Sequence, residues 1–210
     1  MDGPRRFDVS SIRLVVVTDS LRGGIAGLVA RTTAAVLGGA TMIQVRLKDE
    51  SPRTVVEAAR ALRTALPDTP LVVNERADVA LAAGAHGVHL GVHDLVTSEV
   101  RRIAPEGFII GASASTHTEL ERARGADYVG LGPVYAMADA GTALGIDEFA
   151  ALAQSSAMPV LAVGGVTVLN IGDVMRAGAH GAALMQPLIG VPSPADSARA
   201  LRAAQDASGR

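Results

Sequence analysis

Eight short, β-branched apolar runs recur along this chain, and an Ala-rich amphipathic stretch follows each one. The runs are Ile12–Val17, Met42–Val45, Leu71–Val73, Gly87–Leu90, Phe108–Ile110, Tyr128–Leu131, Val160–Val163 and Gly181–Met185. The helical stretches are Ile25–Leu37, Pro52–Leu66, Arg76–Ala83, Val96–Ala104, Thr118–Arg124, Asp147–Gln154, Leu169–Ala177 and Pro194–Ala204. Most runs are continuous blocks rather than in–out alternations, which is how strands of a parallel sheet read when both faces are buried. Eight strand-then-helix units in 210 residues predict an α/β protein of one domain, a (β/α)8 TIM barrel spanning the chain. Residues 1–11 are expected to form a flexible N-terminal segment. The alternative, an open doubly wound sheet, seldom has eight regular units, and no G-x-G-x-x-G follows the first run.

An internal repeat supports the barrel. Gly38-Gly39-Ala40, Ala83-Gly84-Ala85, Arg124-Gly125-Ala126 and Ala177-Gly178-Ala179 each close a helix just before an even-numbered strand. Gly supplies the left-handed C-cap there. The units therefore come in pairs, as quarter-barrels. Ser51-Pro52 reads as a helix start, with Ser as N-cap and Pro at the first helical position.

Composition narrows the function. Hydrophobic residues make up 49% of the chain and mean hydropathy is positive, enough apolar material for one large core. Net charge is −2, so neither nucleic acid nor an anionic membrane is expected as a partner. Cysteine is absent, which excludes thiolate catalysis and zinc–sulfur sites. The run Leu14–Val17 is too short for a signal peptide or a membrane span, and a soluble cytoplasmic protein is expected. Of the 19 basic residues, one alone is Lys. That residue is Lys48, and it follows Gln44 and Arg46 at alternate positions leaving the second strand.

In a (β/α)8 barrel the active site lies at the carboxyl ends of the strands. Gln44, Arg46 and Lys48 can share one face there, and an amide, a guanidinium and an ammonium suit a heterocycle bearing phosphates. The alternative is a solvated strand end. After the third strand come Asn74, Glu75 and Arg76, and after the fourth come His93 and Asp94. Glu75 and Asp94 are carboxylates at neighbouring strand ends, suited to Mg2+ with phosphate oxygens. Each could instead cap a helix. His86, His89 and His93 do not read as a metal set. His86 repeats as His180 in a turn at the opposite end of the barrel, and only His93 lies in the loop beside Asp94. His117 reads as a helix start. Gly111-Ala112-Ser113 after the fifth strand lets a backbone and a hydroxyl approach a ligand. Gly164-Gly165 after the seventh can offer backbone N–H groups to a phosphate, or be a structural turn.

These motifs resemble the family of thiamine phosphate synthase and its relative, the TenI-type thiazole tautomerase. The anchors are Gln44-Val45-Arg46-Leu47-Lys48, Val73-Asn74-Glu75-Arg76-Ala77-Asp78, Gly87-Val88-His89-Leu90-Gly91 with Asp94, Gly111-Ala112-Ser113, Asp127 through Tyr135, and Ala162-Val163-Gly164-Gly165-Val166. The resemblance implies a transferase that joins hydroxymethylpyrimidine diphosphate to a thiazole phosphate and expels pyrophosphate. It implies that Gln44 meets the pyrimidine, that Arg46, Lys48, Asn74 and Ser113 hold the diphosphate, and that Glu75 and Asp94 carry Mg2+. Gly164 and Gly165 would offer N–H groups to the thiazole phosphate. Lys48, Arg46 and Ser113 are the catalytic candidates. No protein nucleophile is needed, and no nucleophile–base dyad is expected. A homodimer is a possible assembly.

The chain departs from the family pattern in three places. Glu75 stands where Asp is usual. Ala136-Met137-Ala138-Asp139-Ala140 replaces a Pro-Thr-x-Thr-Lys type loop, and Asp139 there either repels pyrophosphate or adds a metal ligand. Met185-Gln186-Pro187 replaces a small Ser. Two other readings therefore stand beside the synthase: a TenI-like tautomerase, whose His base is replaced here by Pro133, and a divergent paralogue binding a phosphorylated ligand without synthase activity. A Schiff-base aldolase on Lys48 is more remote, because that Lys would need a dry pocket.

Overall fold

A computed structural model describes residues 7–137 and 142–208. Eight parallel strands run in chain order around a closed barrel: β1 (Leu14–Val17), β2 (Met42–Val45), β3 (Leu71–Asn74), β4 (Gly87–Leu90), β5 (Ile109–Ala114), β6 (Tyr128–Leu131), β7 (Val160–Val163) and β8 (Gly181–Leu184). Pairing of Leu14 with Ala182 and of Val16 with Leu184 joins β8 to β1 and closes the sheet. Helices α1 (Gly24–Leu37), α2 (Pro52–Ala65), α3 (Ala77–Ala83), α4 (Thr97–Ile103), α5 (His117–Arg122), α6 (Gly145–Ser155) and α7 (Ile171–Arg176) alternate with the strands, and α9 (Pro194–Ala207) ends the chain. The predicted alternation is therefore present, as a single-domain (β/α)8 barrel. Two short elements were not predicted: a 3-10 helix at Val9–Ile12 and α8 (Gln186–Ile189).

The continuous apolar runs follow from burial on both faces. Outward residues such as Leu14, Val16, Ile43, Val45 and Val73 pack under Leu28, Ala35, Leu62 and Phe149 of the helical layer. Inward residues Val15, Met42, Val72, Tyr128, Leu161 and Ala183 form a separate cluster inside the barrel, over Ile12. Phe7 stacks on Tyr128 with ring centroids 5.7 Å apart. Of the segment 1–11, residues 1–6 lie outside the described residues. Asp8 caps the 3-10 helix by accepting from the Ser10 amide at 2.9 Å. Ser51 caps α2 and Pro52 opens it. Among the described residues no helix is long and apolar enough to cross a membrane.

The quarter-barrel repeat has a hydrogen-bonding logic. Gly39, Gly84, Gly125 and Gly178 all have positive φ, and the amides of Ala40, Ala85 and Ala179 reach back five residues to close their helices. The next residue in each copy is Thr41, His86, Asp127 or His180. Each uses its side chain to accept an amide at the start of the preceding strand, from the first residue in three copies and the second in β5: Leu14 to Thr41 Oγ1 at 2.9 Å, Leu71 to His86 Nδ1 at 3.0 Å, Ile110 to Asp127 Oδ2 at 2.7 Å and Val160 to His180 Nδ1 at 3.1 Å. Each also donates its own amide to that same residue's carbonyl. His86 and His180 are thus structural clamps at the amino ends of the strands.

The Gly after each of these His clamps is fixed by close approach. A Cβ on Gly181 would lie 1.9 Å from the Ile12 carbonyl oxygen, and one on Gly87 would lie 2.1 Å from that of Ile109. Both obstacles are backbone. Gly181→Ala should therefore destabilise the barrel by about 1–3 kcal/mol or more, read as a lower urea midpoint. An unchanged midpoint would show that the β1 entry can shift to admit a methyl.

Candidate active site

The carboxyl mouth is reached by moving two residues along each inward strand face. Above Met42 comes Gln44, above Val72 comes Asn74, above Gly87 comes His89 and above Gly111 comes Ser113. An apolar interior becomes a polar tier within one step.

The first group is linked along β2 and β3. Gln44, buried, donates through Nε2 to Asn74 Oδ1 at 2.7 Å, and Asn74 Nδ2 donates to Glu75 Oε1 at 2.7 Å. Arg46 is held by Thr18, a fully buried residue at the end of β1. Thr18 Oγ1 accepts the Arg46 amide at 2.8 Å and donates to the Arg46 carbonyl at 3.1 Å. Sequence reasoning missed Thr18, and its place directly after the first apolar run was the available signal. Arg46, Lys48, Asn74 and Glu75 line one cavity of about 240 Å3. Arg46 is half-buried and Lys48 exposed, and neither forms an ion pair among the described residues. Exposed Lys48 lacks the dry surroundings that Schiff-base chemistry needs.

Glu75 departs from ordinary backbone geometry. Its φ is +67°, the only positive value at a non-glycine among the described residues. Its amide donates to the His89 carbonyl at 2.7 Å. It does not cap α3, whose N-cap is Arg76 without a side-chain bond. Asp94 likewise is no helix cap. Its Oδ2 accepts the Gly91 amide at 2.6 Å and closes the turn after β4. Asp94 and Ser113 line a second cavity of about 160 Å3, with Glu119 and Arg122. His93 is exposed in that turn, and His117 begins α5.

A third group lies inside the barrel. His89 Nε2 is 3.0 Å from Ser113 Oγ, and His89 Nδ1 is 3.0 Å from Tyr128 Oη. Ser113 lies within β5, not beyond it, paired across to Gly130. A Ser–His contact with a third polar group behind it resembles a nucleophile–base dyad, against the expectation that none exists. Its electrostatics do not suit that role. Burial pushes the His89 imidazole down to about 4, and burial raises the Tyr128 phenol. Both stay neutral, and among the described residues no carboxylate bonds the ring to stabilise an imidazolium.

Across the mouth, Gly164 and Gly165 follow β7 with φ of +90° and +68°. The Gly164 carbonyl accepts from the Tyr135 amide at 3.2 Å, and the Gly165 carbonyl accepts from Asn170 Nδ2 at 3.1 Å. Side chains at either Gly would strike Pro133 or Tyr135. This loop lines neither cavity. Gln186 begins α8, and its amide lies over Gly190. Ala136 and Met137 are exposed, whereas Ala138, Asp139 and Ala140 lie outside the described residues.

The donors for a divalent cation are all oxygen. Glu75 and Asp94 each have one carboxylate oxygen engaged by the protein, and no cluster of three or more His, Asp or Glu is gathered for a metal among the described residues. Glu75 lines the Arg46–Lys48 cavity and Asp94 lines the Ser113 cavity, and oxygen donors of this kind have the chemistry to hold Mg2+ together with water and ligand phosphates.

The fold and mouth are those of a (β/α)8-barrel enzyme. A family model described as "Thiamine monophosphate synthase" matches residues 14–188, and the chain belongs to that family. A protein named thiamine-phosphate synthase from Methanoculleus marisnigri is 43% identical over 209 residues, covering 94% of this chain and 98% of the relative. A Xanthobacter autotrophicus protein of the same name is 39% identical, covering 96% and 97%. The solved structure of thiamine phosphate pyrophosphorylase from Pyrococcus furiosus superposes with a TM-score of 0.87 at 32% identity, covering 96% of this chain and 99% of that one.

The buried imidazole gives the barrel a defined acid sensitivity. The unfolded chain takes up the His89 proton near 6.5, and the folded chain does so near 4. Stability from this group is complete above the first value and is lost as pH falls through the second. The loss amounts to about 3 kcal/mol. In urea unfolding at pH 4.5 and 7, His89→Gln should lose less stability on acidification than the parent. Equal losses would mean that His89 is not held neutral.

Proposed function

We propose that this chain is a thiamine-phosphate synthase, joining hydroxymethylpyrimidine diphosphate to a thiazole phosphate with release of pyrophosphate. Its family membership and its relatives' names support that reaction. The observation that carries the assignment to this mouth is the pair Arg46 and Lys48, without ion-pair partners among the described residues, on one cavity with Asn74 and Glu75. Two cations beside an amide and a carboxylate have the chemistry to bind a diphosphate.

On this reading Gln44 meets the pyrimidine, and its bond to Asn74 fixes which end of the amide it offers. Arg46, Lys48, Asn74 and Ser113 hold the diphosphate. Glu75 and Asp94 hold Mg2+, which when bound neutralises part of the diphosphate charge and makes it a better leaving group. Arg46 and Lys48 take up the charge that develops as the C–O bond breaks. The thiazole nitrogen then attacks the pyrimidine methylene cation. Gly164 and Gly165 offer N–H groups to the thiazole phosphate. Ala136 and Met137 carry neither hydroxyl nor ammonium, so Arg46 and Lys48 are the cations this reading assigns to the leaving group.

The test is a reaction with both substrates, with and without Mg2+, followed by detection of thiamine phosphate. Product should form and should depend on Mg2+. Lys48→Ala should lower kcat by about 10²-fold or more, as for removal of a transition-state donor, and Lys48→Arg should restore it only in part. Absence of product from the parent would overturn the assignment. Full activity in Lys48→Ala would remove Lys48 from the site.

A further inference from the structure

We propose that His89 and Tyr128 are positioning residues that hold the Ser113 hydroxyl in the donor state toward the diphosphate. This rests on the synthase reading of Ser113. Tyr128 is fully buried in the interior cluster with Val15, Met42 and Leu161. Among the described residues its Oη has one hydrogen-bond partner, His89 Nδ1 at 3.0 Å. If Oη accepted from an Nδ1–H, its own proton would be left among apolar side chains, an unsatisfied buried donor. The phenol therefore donates, and Nδ1 accepts. A neutral imidazole carries a single N–H, which places it on Nε2, 3.0 Å from Ser113 Oγ. Ser113 thus accepts from below, and its own proton stays free for a ligand oxygen at the mouth. His89 is itself buried, so among the described residues both ring nitrogens look only toward Tyr128 and Ser113. With its proton on Nε2, His89 cannot take a proton from Ser113, so the hydroxyl is not turned into a competing nucleophile.

The barrel leaves room for this relay by omitting side chains beside it. A Cβ on Gly111 would lie 2.2 Å from Tyr128 Cζ and 2.6 Å from His89 Nδ1. A Cβ on Gly130 would lie 3.2 Å from His89 Cε1. The two rings also stack, with centroids 5.5 Å apart. Ser113, Gly111 and Gly130 lie on adjacent strands β5 and β6, so the gap and the hydroxyl that uses it are set by one ladder.

The direct test is 15N NMR of His89 in the full chain at neutral pH. The proton should reside on Nε2, and Tyr128→Phe, which keeps the ring, should weaken that preference. In steady-state kinetics Tyr128→Phe should lower kcat about 3–10-fold with KM little changed, and Ser113→Ala should lower it about 10²-fold. The double variant should be no slower than Ser113→Ala. A proton on Nδ1 in the parent overturns the proposal. So does a Tyr128→Phe effect that persists undiminished when Ser113 is already Ala, because the phenol would then act by another route. A parent that makes no thiamine phosphate overturns the synthase reading instead, and the NMR result decides the hydrogen-bond direction independently of it.

Discussion

Closure of the sheet by β8 on β1 is the constraint from which the rest of the molecule follows. Seven of the eight strands are four residues long, and a strand that short contributes few ladder bonds. In a closed ring each strand bonds to two neighbours and no edge is left open. The helices then cover the outside and side chains must fill the inside. This double burial forces the apolar runs to be continuous. It also makes the interior narrow, so small residues recur where backbones or rings approach: Gly87 and Gly181 at the amino ends, Gly111 and Gly130 around the imidazole.

The interior tier at the mouth is polar within a fold that otherwise excludes polar groups, and its members are satisfied mainly by one another. Gln44 bonds Asn74, Asn74 bonds Glu75, and His89 bridges Tyr128 and Ser113. A buried amide or imidazole without a partner would cost about 1–3 kcal/mol. Mutual pairing removes that cost and restricts each group to a single orientation. Arg46 and Lys48 differ from this tier. They extend beyond β2, where solvent can hydrate them in the absence of an anionic ligand.

The fold was legible because its signals are local. Apolar runs and Gly caps set β2, β4, β6 and β7 at the expected residues. The strand β5 runs on to Ala114 because a backbone ladder needs no large side chains, and the small residues of Gly111-Ala112-Ser113 read as a loop only by composition. The four-residue α8 is too short to show a period, and Pro187 within it reads as a breaker. The charged part of the candidate site was legible for a different reason: Gln44, Arg46 and Lys48 alternate along the end of β2 and the turn that follows it, and Asn74 and Glu75 are adjacent. His89 was not, because its two partners stand 24 and 39 positions away. His86, by contrast, was legible as a turn residue through its repeat at His180.

Glu75 joins these two kinds of information. A left-handed φ at a non-glycine residue costs on the order of 1 kcal/mol, and the short side chains of Asn and Asp tolerate it best. Glu is less suited, so its surroundings must hold it there. Its amide is anchored on the His89 carbonyl of the neighbouring strand, and its carboxylate is anchored on Asn74. The kink ends β3 and starts the turn into α3, and it leaves the carboxylate beside the Arg46 and Lys48 cavity. The extra methylene relative to Asp gives the carboxylate further reach from a fixed backbone point, while the Asn74 bond removes part of the freedom that reach brings. The strained residue, the amide beside it and the His89 carbonyl on the next strand therefore form one continuous unit. A change at any of the three would move the carboxylate at the mouth.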